Sequence, residues 1–367
     1  MTTAQQEITV IGGAQAGLVT SYQLSRLGLE HVVLDASEHA GDTWRHRWDS
    51  LSLFTPARID HLDGMVLPGS GGPPTKDDFA DYLDRYEQEY ALPVRHSVRV
   101  ERLWSDAAGY AMSTTAGSMH SDVVVIAMSS LQRPRIPQFA PALDPTILSL
   151  HSSEYRNPDQ LRPGNVLVVG AGNTGAEISV EVARTHPTWL AGQESGHLPF
   201  RIDGTFGREV GSRVIAFAFM HILNTRTPIG RRAQPLMQSR ADPLLRERPK
   251  DLRRAGVHRV PRIAEVRDGL PVAQDGTTIA VANVIWCTGF RTGLTDWVDL
   301  PVCDEQGMPT QIRGVVEGHP GLYFVGQNYQ YSKASETVLG VSPDARFVAR
   351  HIAQLRSQLD DEHAAAA

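Results

Sequence analysis

Val10-Ile11-Gly12-Gly13-Ala14-Gln15-Ala16-Gly17-Leu18 stands near the start of the chain, and Val168-Val169-Gly170-Ala171-Gly172-Asn173-Thr174-Gly175-Ala176-Glu177 repeats its pattern in the middle. Each follows a β-branched apolar run and precedes an apolar-periodic stretch, the strand–turn–helix setting of a dinucleotide fingerprint. The physical demand is narrow. It takes a tight turn, a backbone close enough to touch a pyrophosphate, and amide N–H groups at a helix start facing the anion. One match is weak; two in the right setting imply two dinucleotide sites in one polypeptide, the arrangement of a flavin reduced by a nicotinamide. The expected fold is α/β, two Rossmann-like dinucleotide-binding domains with the nicotinamide domain inserted into the FAD domain.

Outward from these motifs, Ile8 to Ile11 reads as the first strand, Gly17 to Leu27 as its helix, and His31 to Leu34 as the second strand, ending at Asp35. Asp78 to Tyr90 reads as an amphipathic helix with Phe79, Tyr82, Leu83 and Tyr86 at helical spacing. Val98 to Trp104, Asp122 to Ile126, Val281 to Trp286 and Leu322 to Val325 read as strands, and Pro343 to Leu359 as the last helix, with a frayed tail after it. Gln132-Arg133-Pro134-Arg135-Ile136-Pro137 is a stiff linker, since proline restricts itself and its predecessor. A second linker follows at Arg156-Asn157-Pro158. The expected domains are residues 1–157 with 281–367 for FAD and 158–280 for NAD(P)H.

The 367 residues suffice for two ordinary domains, and 41% hydrophobic with 21% charged residues predicts packed interiors. A net charge of −6 argues against a general nucleic-acid surface. Cys287 and Cys303 alone make no disulfide scaffold, which fits a reducing cytoplasm, and the polar N-terminus shows no signal peptide. The apolar run Val214 to Leu223 is too short to span a bilayer. Its role is left open between a mobile cover, a subunit contact (hence a homodimer) and a buried helix. Basic residues between Arg226 and Arg254 read as a solvated face.

In the first unit Asp35 lies where the fingerprint places an acid for the ribose hydroxyls, followed by Ala36. In the second unit that offset falls on Gln193, followed by Glu194. A 2′-phosphate wants a cation there, so this site tilts toward NADH over NADPH unless Arg184 or Arg201 reaches it. Ala14 replaces the middle glycine of the first copy, and its methyl group crowds the approach to the pyrophosphate; the favoured reading is a local shift that FAD tolerates.

These residues resemble the small bacterial flavin-containing monooxygenases over essentially the whole chain. Besides the fingerprints, the resemblance rests on Gly41-Asp42-Thr43-Trp44-Arg45-His46-Arg47-Trp48, Leu53-Phe54-Thr55-Pro56, His151-Ser152-Ser153-Glu154-Tyr155-Arg156, Thr288-Gly289-Phe290 and Gly321-Leu322-Tyr323-Phe324-Val325-Gly326. His151, Tyr155 and Arg156 fit the amine and sulfide oxygenase version of the family pattern; a Baeyer–Villiger version would carry Trp-Pro at the last two. His151 is also open to a plain structural reading, tying the linker by hydrogen bonds.

The resemblance implies FAD held by Gly12, Gly13, Ala14, Gln15, Ala16, Gly17, Asp35, Ala36, Thr43, Trp44, Trp48, Thr288, Gly289 and Gln327. It implies NADPH or NADH held by Gly170, Gly172, Asn173, Thr174, Gly175 and Gln193. It further implies an NAD(P)H-dependent monooxygenase that passes one atom of O2 to a small soft nucleophile, an amine or sulfide, through a flavin C4a-hydroperoxide. No asparagine occurs between Gly41 and Ser70, where many relatives place one, so Ser52 and Thr55 stand in as candidate hydrogen-bond donors. Met128 and Ser129 replace the usual Thr-Gly of the first linker. Trp44, Trp48 and Phe54 are candidate flavin walls or plain core aromatics, and Tyr329 and Tyr331 candidate substrate walls. Lys333 and Glu336 read as an exposed pair, or as a polar substrate mouth.

No nucleophile–base pair or metal-ligand spacing occurs, consistent with chemistry carried by the cofactor. A disulfide reductase needs a dithiol that Cys287 and Cys303 are too far apart to make. An uncoupled NAD(P)H oxidase, a Baeyer–Villiger oxygenase and a degenerate flavin-free nucleotide-binding protein stay as alternatives.

Overall fold

The computed structural model describes residues 4–69, 72–239 and 242–366. Ile8 and Val10 are fully buried, as are Val166, Leu167 and Val168, because strands of a parallel sheet covered on both faces need apolar side chains on both sides. The first sheet runs in the order Val94–Arg95, Val32–Leu34, Ala4–Ile11, Gly117–Ile126, Gly109–Thr114, Val100–Asp106. Its first three pairings are parallel and the last two antiparallel. Leu322–Phe324 adds in parallel beside the second half of Gly117–Ile126, which returns the C-terminal part of the chain to the first sheet.

The second sheet is parallel throughout, in the order His258–Val260, Thr188–Ala191, Val166–Val169, Asn283–Trp286, Leu148–His151. The expected boundaries at 157/158 and 280/281 therefore cut through this sheet: Leu148–His151 and Asn283–Trp286 both belong to it. The change-over lies instead where Arg133–Pro134 pairs antiparallel with Phe290–Arg291, two crossing chains joined into one short ribbon.

The helix Lys76–Glu89 is opened by a reciprocal capping box of Thr75 and Asp78 and buries Phe79, Tyr82, Leu83 and Tyr86 completely. The final helix starts earlier and ends later than expected, Val338–Ala366, so the tail after Leu359 continues the helix. It lies along Gln15–Arg26, sharing a core of Leu18, Val19, Leu24, Val341, Ala345, Val348 and Ile352. No helix among the described residues is long and apolar enough to cross a membrane.

Candidate functional site

The two fingerprints build the same local geometry. Gly12 and Gly170 take φ of +103° and +113°, open to glycine and costly for other residues. A Cβ on Gly17 would stand 1.7 Å from the Gly12 carbonyl oxygen, and one on Gly175 would stand 1.8 Å from that of Gly170. The third glycine of each copy is thus what lets the helix seat against the turn. Each helix, Gln15–Arg26 and Asn173–Val182, begins with no side-chain cap and no acid in its first turn. Their first amides are left to an anion.

Ala14 and Gly172, the paired N-cap positions, share an extended backbone (φ −80° and −78°) that any residue adopts. Ala14 therefore costs no strain. The intolerant position is Gly13: a Cβ there would meet the Asp35 carboxylate at 2.8 Å. Asp35 sits just beyond Val32–Leu34, 7% exposed, accepting from the Ser37 amide (3.2 Å) with His96 Nδ1 at 3.8 Å. Burial raises its pKa above the usual carboxylate range. Gln15 accepts from Trp44 Nε1 at 3.0 Å, which holds Trp44 beside the first fingerprint. Gln327 is buried, donates to the Met128 carbonyl, and leaves Oε1 without a partner. Ala16 is buried, Ala36 and Thr43 are exposed and Thr174 is half-buried.

Several expectations change. Trp48, a candidate flavin wall, is buried in the core of the second unit with Tyr155, Val168 and Ile285, so it plugs one unit onto the other. The Asn173 side chain is spent on the segment 243–245: Nδ2 donates to the Pro243 carbonyl at 3.1 Å and Oδ1 accepts from the Leu245 amide at 2.9 Å. Thr288 and Gly289 serve the change-over ribbon. Thr288 donates to the Arg135 carbonyl, and the Gly289 carbonyl lies 3.1 Å from His151 Nε2. His151 is 1% exposed and packs edge-on against Phe290, a tie between the crossing chains. Ser52 makes a backbone bridge to Thr75, and the Thr55 hydroxyl donates to Asp60. Burial pushes the Asp60 carboxyl up to about 7 against those Thr55 hydrogen bonds.

Lys333 and Glu336 are not an exposed pair. Lys333 is 4% exposed, 3.1 Å from Asp242 and 3.7 Å from Glu336, whose pKa burial raises. Tyr329 is buried and donates to the Gly230 carbonyl at 3.0 Å. Val214 and Phe217, in the run left open between a mobile cover, a subunit contact and a buried helix, are each 60% exposed, which argues against the buried helix.

Sequence reading missed two arginines. Arg246, expected on a solvated face, is held by the second unit's helix through Glu177 (3.1 Å), donates to the Leu53 carbonyl (2.8 Å) and covers the Phe54 ring at 5.1 Å. It staples the helix Asn173–Val182 to the loop 51–55, and burial still pushes Glu177 up to about 7. Arg262 donates to Gln193 Oε1 at 3.0 Å, in a pocket of about 270 Å³ lined by Gly192, Gln193, Pro261, Arg262 and Gln274. Arg259 donates to the Gly192 carbonyl beside it at 2.9 Å. Arg201, named with Arg184 as a cation that could reach a 2′-phosphate, is tied to Asp203 at 2.8 Å. The only local signal was the run His258–Val260 followed by Pro261, a strand end carrying two arginines.

Residues 9–189 match the family of pyridine nucleotide-disulphide oxidoreductases. A CzcO-like oxidoreductase of Geobacillus kaustophilus, itself uncharacterized, is 35% identical over 350 residues, 94% of this chain and 98% of its own. The solved structure of a flavin-containing monooxygenase from Stenotrophomonas maltophilia is 29% identical with a TM-score of 0.79, covering 97% of this chain and 100% of its own. The chain belongs to the flavin monooxygenase family. Another relative, the rice (Oryza sativa subsp. japonica) indole-3-pyruvate monooxygenase YUCCA4, is 26% identical over 387 residues, 94% of this chain and 87% of its own. As a flavin monooxygenase the chain is an NAD(P)H-dependent oxidoreductase with FAD and NADPH or NADH as cofactors. The residues present fit them: two uncapped helix starts, turns that admit no Cβ, and the orphaned Gln327 Oε1 beside the first.

Proposed function

We propose that the protein uses NADPH or NADH and O2 to oxygenate a small soft nucleophile, an amine or a sulfide, releasing water and oxidised nicotinamide. Bound FAD supplies the redox chemistry, accepting hydride from the nicotinamide and activating dioxygen. The carrying observation is the pair of matched cradles on two sheets joined by one short ribbon. In this reading the amides of 13–17 face the FAD pyrophosphate, Asp35 accepts from the ribose hydroxyls, and Trp44 and Gln327 line the flavin side. Gly170, Gly172, Thr174 and Gly175 take the nicotinamide pyrophosphate, Gln193 takes the adenosine ribose, and Arg262 beside it meets the 2′-phosphate when the coenzyme is NADPH. Domain limits follow the sheets, with the NAD(P)H-binding part running from the change-over at Arg133–Pro134 to Phe290–Arg291.

The loop 51–55 is stapled by Arg246 to the helix of the second cradle. Thr55 is the candidate hydrogen-bond donor toward the reacting oxygen, with Asp60 setting the direction of its hydroxyl. Because that hydroxyl is engaged by Asp60, uncoupled oxidation of NAD(P)H with peroxide release is the second reading. The experiment is to measure peroxide formed per NAD(P)H consumed, with and without a methyl aryl sulfide. Sulfoxide formed at the expense of peroxide supports oxygenation; peroxide equal to NAD(P)H with every amine and sulfide leaves the oxidase reading.

A further inference from the structure

A helical excursion of the second unit, residues 204–239, carries its apolar face on the wrong side. Its main helix runs through a π-helical turn Gly207–Gly211, an α-helical stretch Ser212–Phe217 and a second π-helical turn Ala218–Ile222. The inward side offers Gly207, Gly211, Ser212 and Ala216, all buried. Larger residues do not fit there: a Cβ on Gly207 would stand 2.1 Å from the Arg201 carbonyl oxygen, and one on Gly211 2.3 Å from the Phe200 ring. The outward side offers Phe206, Val210, Val214 and Phe217, which are 57%, 46%, 60% and 60% exposed. Surface helices of globular proteins turn their large apolar residues inward, so an outward ridge of four marks a docking face.

Charge selects the partner. Residues 204–239 contain Arg208, Arg213, Arg226, Arg231 and Arg232 against one acid, Glu209, a surplus of four positive charges (5 − 1) in a chain of net charge −6. Arg213, Arg226, Arg231 and Arg232 are exposed. A second copy of the chain, docked through the same excursion across a two-fold axis, would bring two positively charged segments together, like charge on like charge. An anionic phospholipid surface accepts both parts, phosphates taking the guanidinium groups and the acyl boundary taking the ridge.

We propose that the excursion docks the protein reversibly on an anionic phospholipid membrane, with Phe206, Val210, Val214 and Phe217 at the headgroup–acyl boundary. The other side of the excursion is hooked to the C-terminal segment: the Thr225 amide donates to the Tyr331 carbonyl at 2.8 Å and the Lys333 amide to the Leu223 carbonyl at 2.9 Å. Docking thus brings the segment 329–333 close beneath the lipid surface.

The test is co-sedimentation of the FAD-loaded protein with vesicles of phosphatidylcholine alone or mixed with phosphatidylglycerol. The proposal expects binding to the mixed vesicles only, weakening as salt rises. Each arginine near such a surface is worth about five-fold in affinity, so Arg213→Gln with Arg232→Gln lowers binding roughly 25-fold. Val214→Ser with Phe217→Ser abolishes it while flavin content and thermal midpoint stay at wild-type values. No sedimentation with mixed vesicles overturns the proposal. So does a wild-type dimer in light scattering that the Val214→Ser, Phe217→Ser variant converts to monomer, because the ridge then belongs to a second copy.

Discussion

Alanine at Gly175 separates the two cradles. The new Cβ would stand 1.8 Å from the Gly170 carbonyl oxygen, whereas real Cβ atoms essentially never come closer than 3.0 Å, so the start of Asn173–Val182 must withdraw by about 1.2 Å. Overpacking of this size costs ~1–3 kcal/mol, within the ~5–15 kcal/mol stability of a typical fold. On the proposed assignment the amides of this helix start face the nicotinamide pyrophosphate; they shift by the same amount, and a misplacement of ~1 Å is worth on the order of 10²-fold in reactivity. Gly175→Ala is therefore expected to purify yellow with full FAD and to be reduced by NAD(P)H about 100-fold less efficiently. Gly17→Ala, whose Cβ would meet the Gly12 carbonyl oxygen at 1.7 Å, is expected to lose FAD instead. Flavin absorbance of the purified variants and anaerobic stopped-flow reduction read the two effects. Wild-type reduction efficiency in Gly175→Ala, or loss of FAD from it while Gly17→Ala stays yellow, refutes the assignment.

At pH ~9, where Glu177 with its folded pKa of about 7 is ionised, Arg246→Met leaves that carboxylate buried without its cation, at a cost of ~3–5 kcal/mol in urea unfolding that shrinks toward pH 7 and that Glu177→Gln in the same chain largely restores; a loss under ~1 kcal/mol at pH ~9 contradicts the staple. Asp60 has a folded pKa of about 7, above its unfolded value. The folded state thus holds the extra proton between pH ~4 and 7, and the contribution of Asp60 to stability falls as pH rises through that window and is level above it. Asp60→Asn is expected to flatten this part of the profile of urea midpoint against pH; an unchanged slope counts against a buried Asp60 carboxyl. Arg262→Ala is expected to raise KM for NADPH about ten-fold and for NADH less than two-fold, since only NADPH presents a 2′-phosphate. Equal effects on the two coenzymes remove Arg262 from that role.

Local spacing made the cradles legible in the sequence. Gly12, Gly17, Gly170 and Gly175 are demanded by turns and helix packing within a few residues, and Asp35 lies one strand away. What depends on distant partners was hidden. Arg246 and Glu177 meet across 69 residues, and so do Arg262 and Gln193. Val281 to Trp286 looked like a strand of the first unit, and residues 148–151 gave no strand reading at all, because nothing local says which sheet a buried strand joins. Trp48 in a flavin-side motif gave no sign that its ring would fill the other unit's core. The outward ridge of Val214 and Phe217 was equally hidden, because apolar periodicity marks a face without saying which way the face turns.

The central claim, that one cradle holds FAD and the other delivers hydride to it, is tested most directly by anaerobic mixing of the FAD-loaded protein with NADPH or NADH. The account predicts full loss of the oxidised flavin absorbance with one equivalent of coenzyme, and its return on admitting air. Failure of the apoprotein to take up FAD, or bound FAD that neither coenzyme bleaches, would contradict it.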